Sequence, residues 1–237
     1  SIKRADILEF HKRYYVARNA VIALVGAVDR ARAEEIARAL SNRLVVGEKA
    51  KPLPATVAPS SSEKYINFPS IQSHVRVGSA GMRRGDPDYF PLLVGNHVLG
   101  GSSLVSILFR EIRSERGLSY SVYSYFMPMA KTGPFVAALQ TDRSQQEEAV
   151  KILKETIGRF VTAGPTEDAL NSAKENLIGG FPLRVDSNAK IVEYLAMIGF
   201  YKLPLNYLDT FTTNVAEVSR LAVKDAFTRR VNVGDAV

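Results

Sequence analysis

Leu108-Phe109-Arg110-Glu111-Ile112-Arg113-Ser114-Glu115-Arg116-Gly117-Leu118-Ser119-Tyr120-Ser121-Val122-Tyr123-Ser124 is the stretch on which the fold turns. A charged helix end runs into Gly117, a natural residue for closing a helix because it enters left-handed backbone without steric cost. An aromatic strand follows at once. Strand alternation predicts Tyr123 and Tyr125 on one face, with Tyr120 and Val122 on the other. On chemistry alone the plain reading is that Arg110, Arg113 and Arg116 are solvated with Glu111 and Glu115 among them, while the tyrosines pack.

The same logic extends outward. Pro134 to Thr141 pairs with Leu118 to Met127 as a second strand, joined through a turn containing Lys131-Thr132-Gly133. Asp88 to Leu99 and Ser103 to Arg116 read as helices. Tyr65 to Gly78 reads as a strand, with Val75 and Val77 alternating against His74 and Arg76. After Ser144 the pattern is helical. One helix is capped by Asp142 or Ser144 and carries Val150, Leu153, Ile157 and Phe160. Others start at Thr166, Asp186, Leu205 and Val218. Strands followed by a run of helices predict an α+β fold, with an antiparallel-rich sheet and helices packed on one face.

Upstream, the periodicity predicts helix, strand, helix over residues 1–48. The strand is the apolar run Ala20 to Val28, of the kind buried on both faces, with an edge through which two copies could pair. The following helix is capped by Asp29, with Ala33, Ile36, Ala37 and Leu40 on one stripe. Pro52, Pro54, Pro59 and three consecutive serines mark residues 49–64 as a linker.

The chain has 237 residues with 46% hydrophobic and 23% charged residues, enough for a real core. It holds 0 cysteines, which excludes a disulfide framework, a thiolate metal site and a cysteine nucleophile. No apolar stretch is long enough for a transmembrane helix, and the N-terminus has no signal-peptide pattern. The net charge of +7 raises the question of nucleic acid. Its distribution argues against that partner. Residues 1–60 hold 11 Lys and Arg against 6 Asp and Glu, a surplus of five, and the remainder 20 against 18. Nor is there a basic run or nucleic-acid-binding motif.

The 3 histidines, His11, His74 and His97, fall in different elements and none lies in H-E-x-x-H. A zinc site built by this chain alone is therefore not expected. Gly100-Gly101-Ser102-Ser103 precedes a helix, where amides could hold an anion. It lacks the G-x-x-x-x-G-K-[ST] pattern, so a tight turn with a serine cap is the simpler reading.

Gly100-Gly101-x-x-Leu104, Phe109-Arg110-Glu111-x-Arg113 and Arg116-Gly117-Leu118-Ser119-Tyr120-Ser121-Val122, in that order, resemble the signature of the M16 zinc metallopeptidases, the pitrilysin and mitochondrial processing peptidase family. The likeness is to their C-terminal, non-zinc-binding half. Asp6-Ile7-Leu8-x-Phe10-His11-x-x-Tyr14-Tyr15 and Asn19 to Asp29 are similar to the end of the family's preceding domain. Gly164-Pro165-Thr166-Glu167-Asp168-x-Leu170 resembles a late helix start. The resemblance implies the M16 (LuxS/MPP-like metallohydrolase) fold, with residues 1–48 closing a preceding domain, 49–64 linking, and 65–237 forming the inactive peptidase domain.

It further implies that Arg113 and Tyr120 bind substrate across an enclosed chamber, Arg113 on a peptide carbonyl and Tyr120 on the scissile carbonyl. Tyr123 is the alternative donor, on the other sheet face. H-x-x-E-H is missing from this sequence. By resemblance, zinc and the general base are expected on a partner domain or subunit, peptides as substrates, and no cleavage by this chain alone. The alternative is a scaffold protein that kept the fold without the chemistry. A bacterial periplasmic or cell-envelope location fits both the resemblance and the absence of cysteine, which is equally compatible with the cytosol.

Overall fold

The computed structural model describes residues 1–57 and 60–232. Residues 58 and 59 of the expected linker and the last five residues of the expected 65–237 domain lie outside the described residues. The chain forms two compact units, one of Ser1–Pro54 with Phe181–Leu208, the other of Ala55–Gly180 with Asp209–Val237.

In the first unit, α1 (Arg4–Tyr14) is closed by its own aromatics, with Phe10 against Tyr14 at 4.7 Å and His11 stacked on Tyr15 at 4.8 Å. Asp29 caps α2 (Arg30–Ser41) as expected, its carboxylate accepting from Arg32 N–H at 2.7 Å. The third helix of the unit, α6 (Asn188–Tyr201), is capped by Ser187.

The expected strand over Ala20 to Val28 does not form. Ala20 has extended backbone, but no strand among the described residues lies beside the segment. Val21, Ile22 and Val28 are 48%, 38% and 41% exposed. Its nearest ladder-like bonds lie just upstream, from Ala17 N–H to Val45 O and Arg18 N–H to Val46 O. An apolar run supplies side chains for a sheet. It does not supply the neighbouring backbone a ladder needs.

The second unit is built on a three-stranded antiparallel sheet of order β1-β3-β2, with β1 at Gln72–Ala80, β2 at Ser121–Phe126 and β3 at Pro134–Asp142. β1 starts seven residues later than Tyr65. Its partner β3 ends at Asp142, opposite Gln72, where the chain turns into α4 (Gln146–Ala163). Beyond that row a single long bond, Arg143 N–H to Ile71 O at 3.4 Å, ends the ladder. Tyr65, Ile66, Phe68 and Ile71 are exposed.

One face of the sheet is the core. Val77, Phe135, Ala137, Leu139 and Val122 are buried there. α4 packs on β1 and β3, α3 (Tyr89–Asn96) on β2, and α8 (Arg220–Arg230) against both helices. Phe227 of α8 meets Phe160 edge-on at 4.9 Å and Phe126 at 5.8 Å, the T-shaped geometry that aromatic quadrupoles favour. Gly95 makes this crossing possible, since a Cβ there would strike the Phe227 ring and lie 2.6 Å from Val223. α5 (Glu167–Gly179), capped by the Thr166 hydroxyl, and α7 (Tyr207–Ala216) complete the helices. The fold is thus α+β, as the sequence predicts.

A charged clasp fixes the end of α8. Asp88, 8% exposed, accepts from Arg229 at 2.6 Å and Arg230 at 2.9 Å, and Asp86, 7% exposed, accepts from Arg230 at 2.8 Å. The Arg229 hydrogen bond, with Arg230 beside it, holds the Asp88 carboxyl below the usual carboxylate range.

Candidate functional site

The helix expected over Ser103 to Arg116 is broken in two. Ser106 turns extended after a short 3-10 turn, and its hydroxyl accepts from Phe109 N–H at 3.4 Å, so the helix restarts at Ile107. From Phe109 to Ser114 it winds as a π-helix. π-Turns inside helices recur at functional sites because they re-aim side chains. Here the Arg113 guanidinium lies over the Phe109 ring, 4.6 Å from its centroid.

The helix closes where Gly117 predicts. Its φ is +64°, its N–H donates to Arg113 O at 3.0 Å, and Leu118 N–H donates to Ile112 O at 2.9 Å. Leu118 is buried and its carbonyl accepts from Thr141 Oγ1 at 2.6 Å. The hydroxyl of buried Ser119 lies between Ser121 O and Gln140 O, with its one proton to donate between them. These bonds pin the segment that follows the reversal to β3, and Tyr120 projects from it at 86% exposure.

Electrostatics separate the four arginines of this corner. Glu111, with its side chain only 17% exposed, pairs with Arg116 and Arg159 at 3.2 Å each and Arg110 at 3.7 Å. Glu115 takes second bonds from Arg110 and Arg116. Arg113 alone has no carboxylate partner among the described residues, and it is exposed. Three guanidiniums are therefore paired with carboxylates and Arg113 is not. The sequence reading placed Glu111 and Glu115 among solvated charges and missed this hub. The Phe109 seat was also missed, although the i, i+4 spacing of an aromatic and an arginine was a usable signal.

Arg113 and Tyr120 thus both stand exposed on either side of the Gly117 reversal, with no hydrogen bond between them. Tyr120 precedes β2 and is not a member of it, so alternation does not govern its direction. Tyr123 lies within β2, 43% exposed and stacked on Tyr125 at 6.1 Å, on the face opposite buried Val122.

The Gly100-Gly101 motif is a packing device. Residues His97–Gly101 wind as a π-turn, and Gly100 lies against β2, where a Cβ would strike the Ser124 hydroxyl and come within 2.6 Å of Ser124 N. Asn96 completes the junction, donating to Ser124 O at 3.0 Å and accepting from Ser124 Oγ at 2.7 Å. His11, His74 and His97 are scattered over α1, β1 and this turn. Among the described residues no group of three or more His, Cys, Asp or Glu is placed to hold a metal, and no helix is long and apolar enough to cross a membrane.

Residues 1–177 match the model of the peptidase M16 inactive domain. The crystal structure of a peptidase M16 inactive domain from Pseudomonas fluorescens superposes with a TM-score of 0.93 at 38% identity, over 100% of this chain and 57% of that one. An uncharacterized zinc protease of Streptomyces coelicolor is 29% identical over 193 residues, 78% of this chain and 42% of its own. A non-peptidase homolog from Helicobacter pylori is 31% identical over 141 residues, 58% of this chain and 32% of its own. The chain spans about half the length of such relatives or less.

Proposed function

Because the chain belongs to the M16 peptidase family, matching its inactive domain, we propose that it is the substrate-gripping, non-catalytic half of a zinc peptidase. In this reading residues 1–48 close a preceding domain, 49–64 are the connection and 65–237 form the inactive half. Zinc and the general base sit on an H-x-x-E-H domain or subunit, and this chain alone cleaves nothing. The assembly works in the periplasm or cell envelope.

The observation that carries the reading is the uncompensated Arg113. Three neighbouring arginines are tied to Glu111, while exposed Arg113 lies over the Phe109 ring with no carboxylate partner among the described residues. A guanidinium so held donates two bonds to peptide carbonyls at little further entropic cost. Tyr120 supplies a hydroxyl from the same corner. In a water-excluded chamber, a donor aimed at the carbonyl oxygen that gains negative charge lowers the barrier by about 3 kcal/mol.

The test is turnover of an extended peptide by the complete assembly. Tyr120→Phe is expected to lower it about ten- to a thousandfold without moving the melting temperature, because the residue is exposed. Unchanged turnover removes Tyr120 from the site.

The non-peptidase homolog supports a second reading, a scaffold that has kept the fold. Recovery of the native protein with its tight partners, followed by mass spectrometry, separates the two. An H-x-x-E-H segment in the same polypeptide or on a partner favours the peptidase, and its absence from both favours the scaffold.

A further inference from the structure

The face of the sheet turned away from the helices carries a second concentration of chemistry. Pairing register sets His74, Gln140 and Ser121 in one row across β1, β3 and β2, and Arg76, Ala138 and Tyr123 in the next. Period-two alternation sends all six side chains to the same open face. Between the rows lies a cleft of about 50 Å³, with His74, Arg76, Tyr123 and Gln140 around it and Ala138 as its floor. Ala138 is 5% exposed although it lies on the open face, because its small side chain sits beneath Arg76 and Tyr123.

The charge on this face is unbalanced. Arg76 is exposed and has no carboxylate within 4 Å among the described residues. The one carboxylate that the register places on the face is Asp142, opposite Gln72 and two rows from Arg76. That separation is about 14 Å, beyond the screening length of about 8 Å at physiological ionic strength. Asp142 is also engaged, accepting from Ser144 N–H at 2.8 Å and its hydroxyl at 2.6 Å. The Gln140 side chain makes no hydrogen bond among the described residues. A guanidinium, an amide and a tyrosine hydroxyl, all able to donate, therefore surround a cleft with no carboxylate among its lining residues.

We infer that this cleft is a subsite for the carboxylate side chain of an Asp or Glu in the extended peptide held at Arg113 and Tyr120. The inference rests on the proposed function. Arg76 supplies the paired N–H donors that match a carboxylate. Gln140 and Tyr123 supply single donors from the neighbouring strands. Tyr120 immediately precedes Ser121, and Ser121 lies two strand spacings, about 10 Å, from His74. The acidic residue thus sits about three extended residues from the peptide bond gripped beside Tyr120.

The test uses the complete assembly, its metal removed by chelation so that peptides bind without being cut, and fluorescein-labelled, C-terminally amidated peptides of Gly, Ala and Ser. A single Glu is moved through the positions, each peptide has a Gln counterpart, and binding is read by fluorescence anisotropy. Amidation leaves the Glu side chain as the sole carboxylate of the peptide itself, the label's own carboxylate is common to each Glu and Gln pair, and free-acid versions show whether a chain terminus substitutes for the side chain. The expected result is one Glu register that binds about tenfold tighter than its Gln counterpart. Arg76→Gln should erase that ratio and leave the Gln peptides unaffected. Arg113→Gln should weaken all peptides alike and preserve the ratio. Equal binding of Glu and Gln peptides in every register overturns the subsite and leaves the peptide grip standing, as does a Glu preference that survives Arg76→Gln. Preference only for the free-acid terminus also overturns it. Failure of any peptide to bind the assembly without substitutions overturns the grip and the subsite together.

Discussion

Ala20 to Val28 and Pro134–Asp142 are apolar runs of similar length, and the first is the more hydrophobic. Only the second is a strand. β3 lies between β1 and β2, so its N–H and C=O groups are met on both sides, and Phe135, Ala137 and Leu139 are at most 2% exposed. The first run has no strand beside it among the described residues, and its valines at 21 and 28 stay nearly half exposed. It touches α6 of its own unit, where a Cβ on Gly199 would approach Val21 to 2.7 Å, but a helix offers no ladder. Strand formation is therefore a property of the neighbours as much as of the segment.

Truncation separates the two runs most strongly. Leu139→Ala should cost about 2–5 kcal/mol in urea unfolding, the range for a fully enclosed leucine. Ile22→Ala, at a partly exposed site, should cost less than about 1 kcal/mol. Equal losses would mean that the first run is as well packed as the second and would break the comparison.

Gly100→Ala probes the support of the sheet beside β3. The added methyl would meet Ser124 N at 2.6 Å and Leu108 Cδ1 at 2.8 Å. Overpacking of this kind should cost about 1–3 kcal/mol. A variant as stable as its parent would show that β2 can retreat from the π-turn.

Acid gives the smallest and most selective effect. The folded Asp88 carboxyl titrates below its unfolded value of about 3.9, chiefly through Arg229. Its contribution is therefore complete above that value and is lost as pH falls through the lower, folded one. Thermal unfolding should show a modest acid loss below about pH 4 that Asp88→Asn removes. The Ala20 to Val28 run contains no carboxylate, so its amide exchange, corrected for intrinsic rates, should show no matching step. A step there would tie that run to the Asp88 clasp.

Several helix ends are legible in the residues themselves, although Asp142 caps the 3-10 turn Arg143–Gln145 and not α4, whose N-cap Gln145 makes no side-chain cap bond. Asp29, Thr166 and Gly117 stand where the sequence places them, because capping is a contact between a residue and its own near neighbours. The α+β class, the β2–β3 pairing and the burial of Leu153, Ile157 and Phe160 on α4 are legible for the same reason. Leu40 shows the limit of periodicity. It falls on the predicted stripe of α2 yet is 52% exposed.

What the sequence could not decide was set by partners far along the chain. β1 begins at Gln72 because β3 ends opposite it at Asp142. Residues 181–208 group with 1–54, across more than a hundred intervening positions. The motif marks Arg113 and Tyr120 as a pair, but the choice of Arg113 as the free guanidinium depends on Arg159 of α4 joining Arg110 and Arg116 at Glu111. Local spacing carries helix ends and strand phase, since those forces act within a few residues. Ladders, ion-pair hubs and the open face at Arg76 arise from groups tens of residues apart, and only the folded chain brings them together.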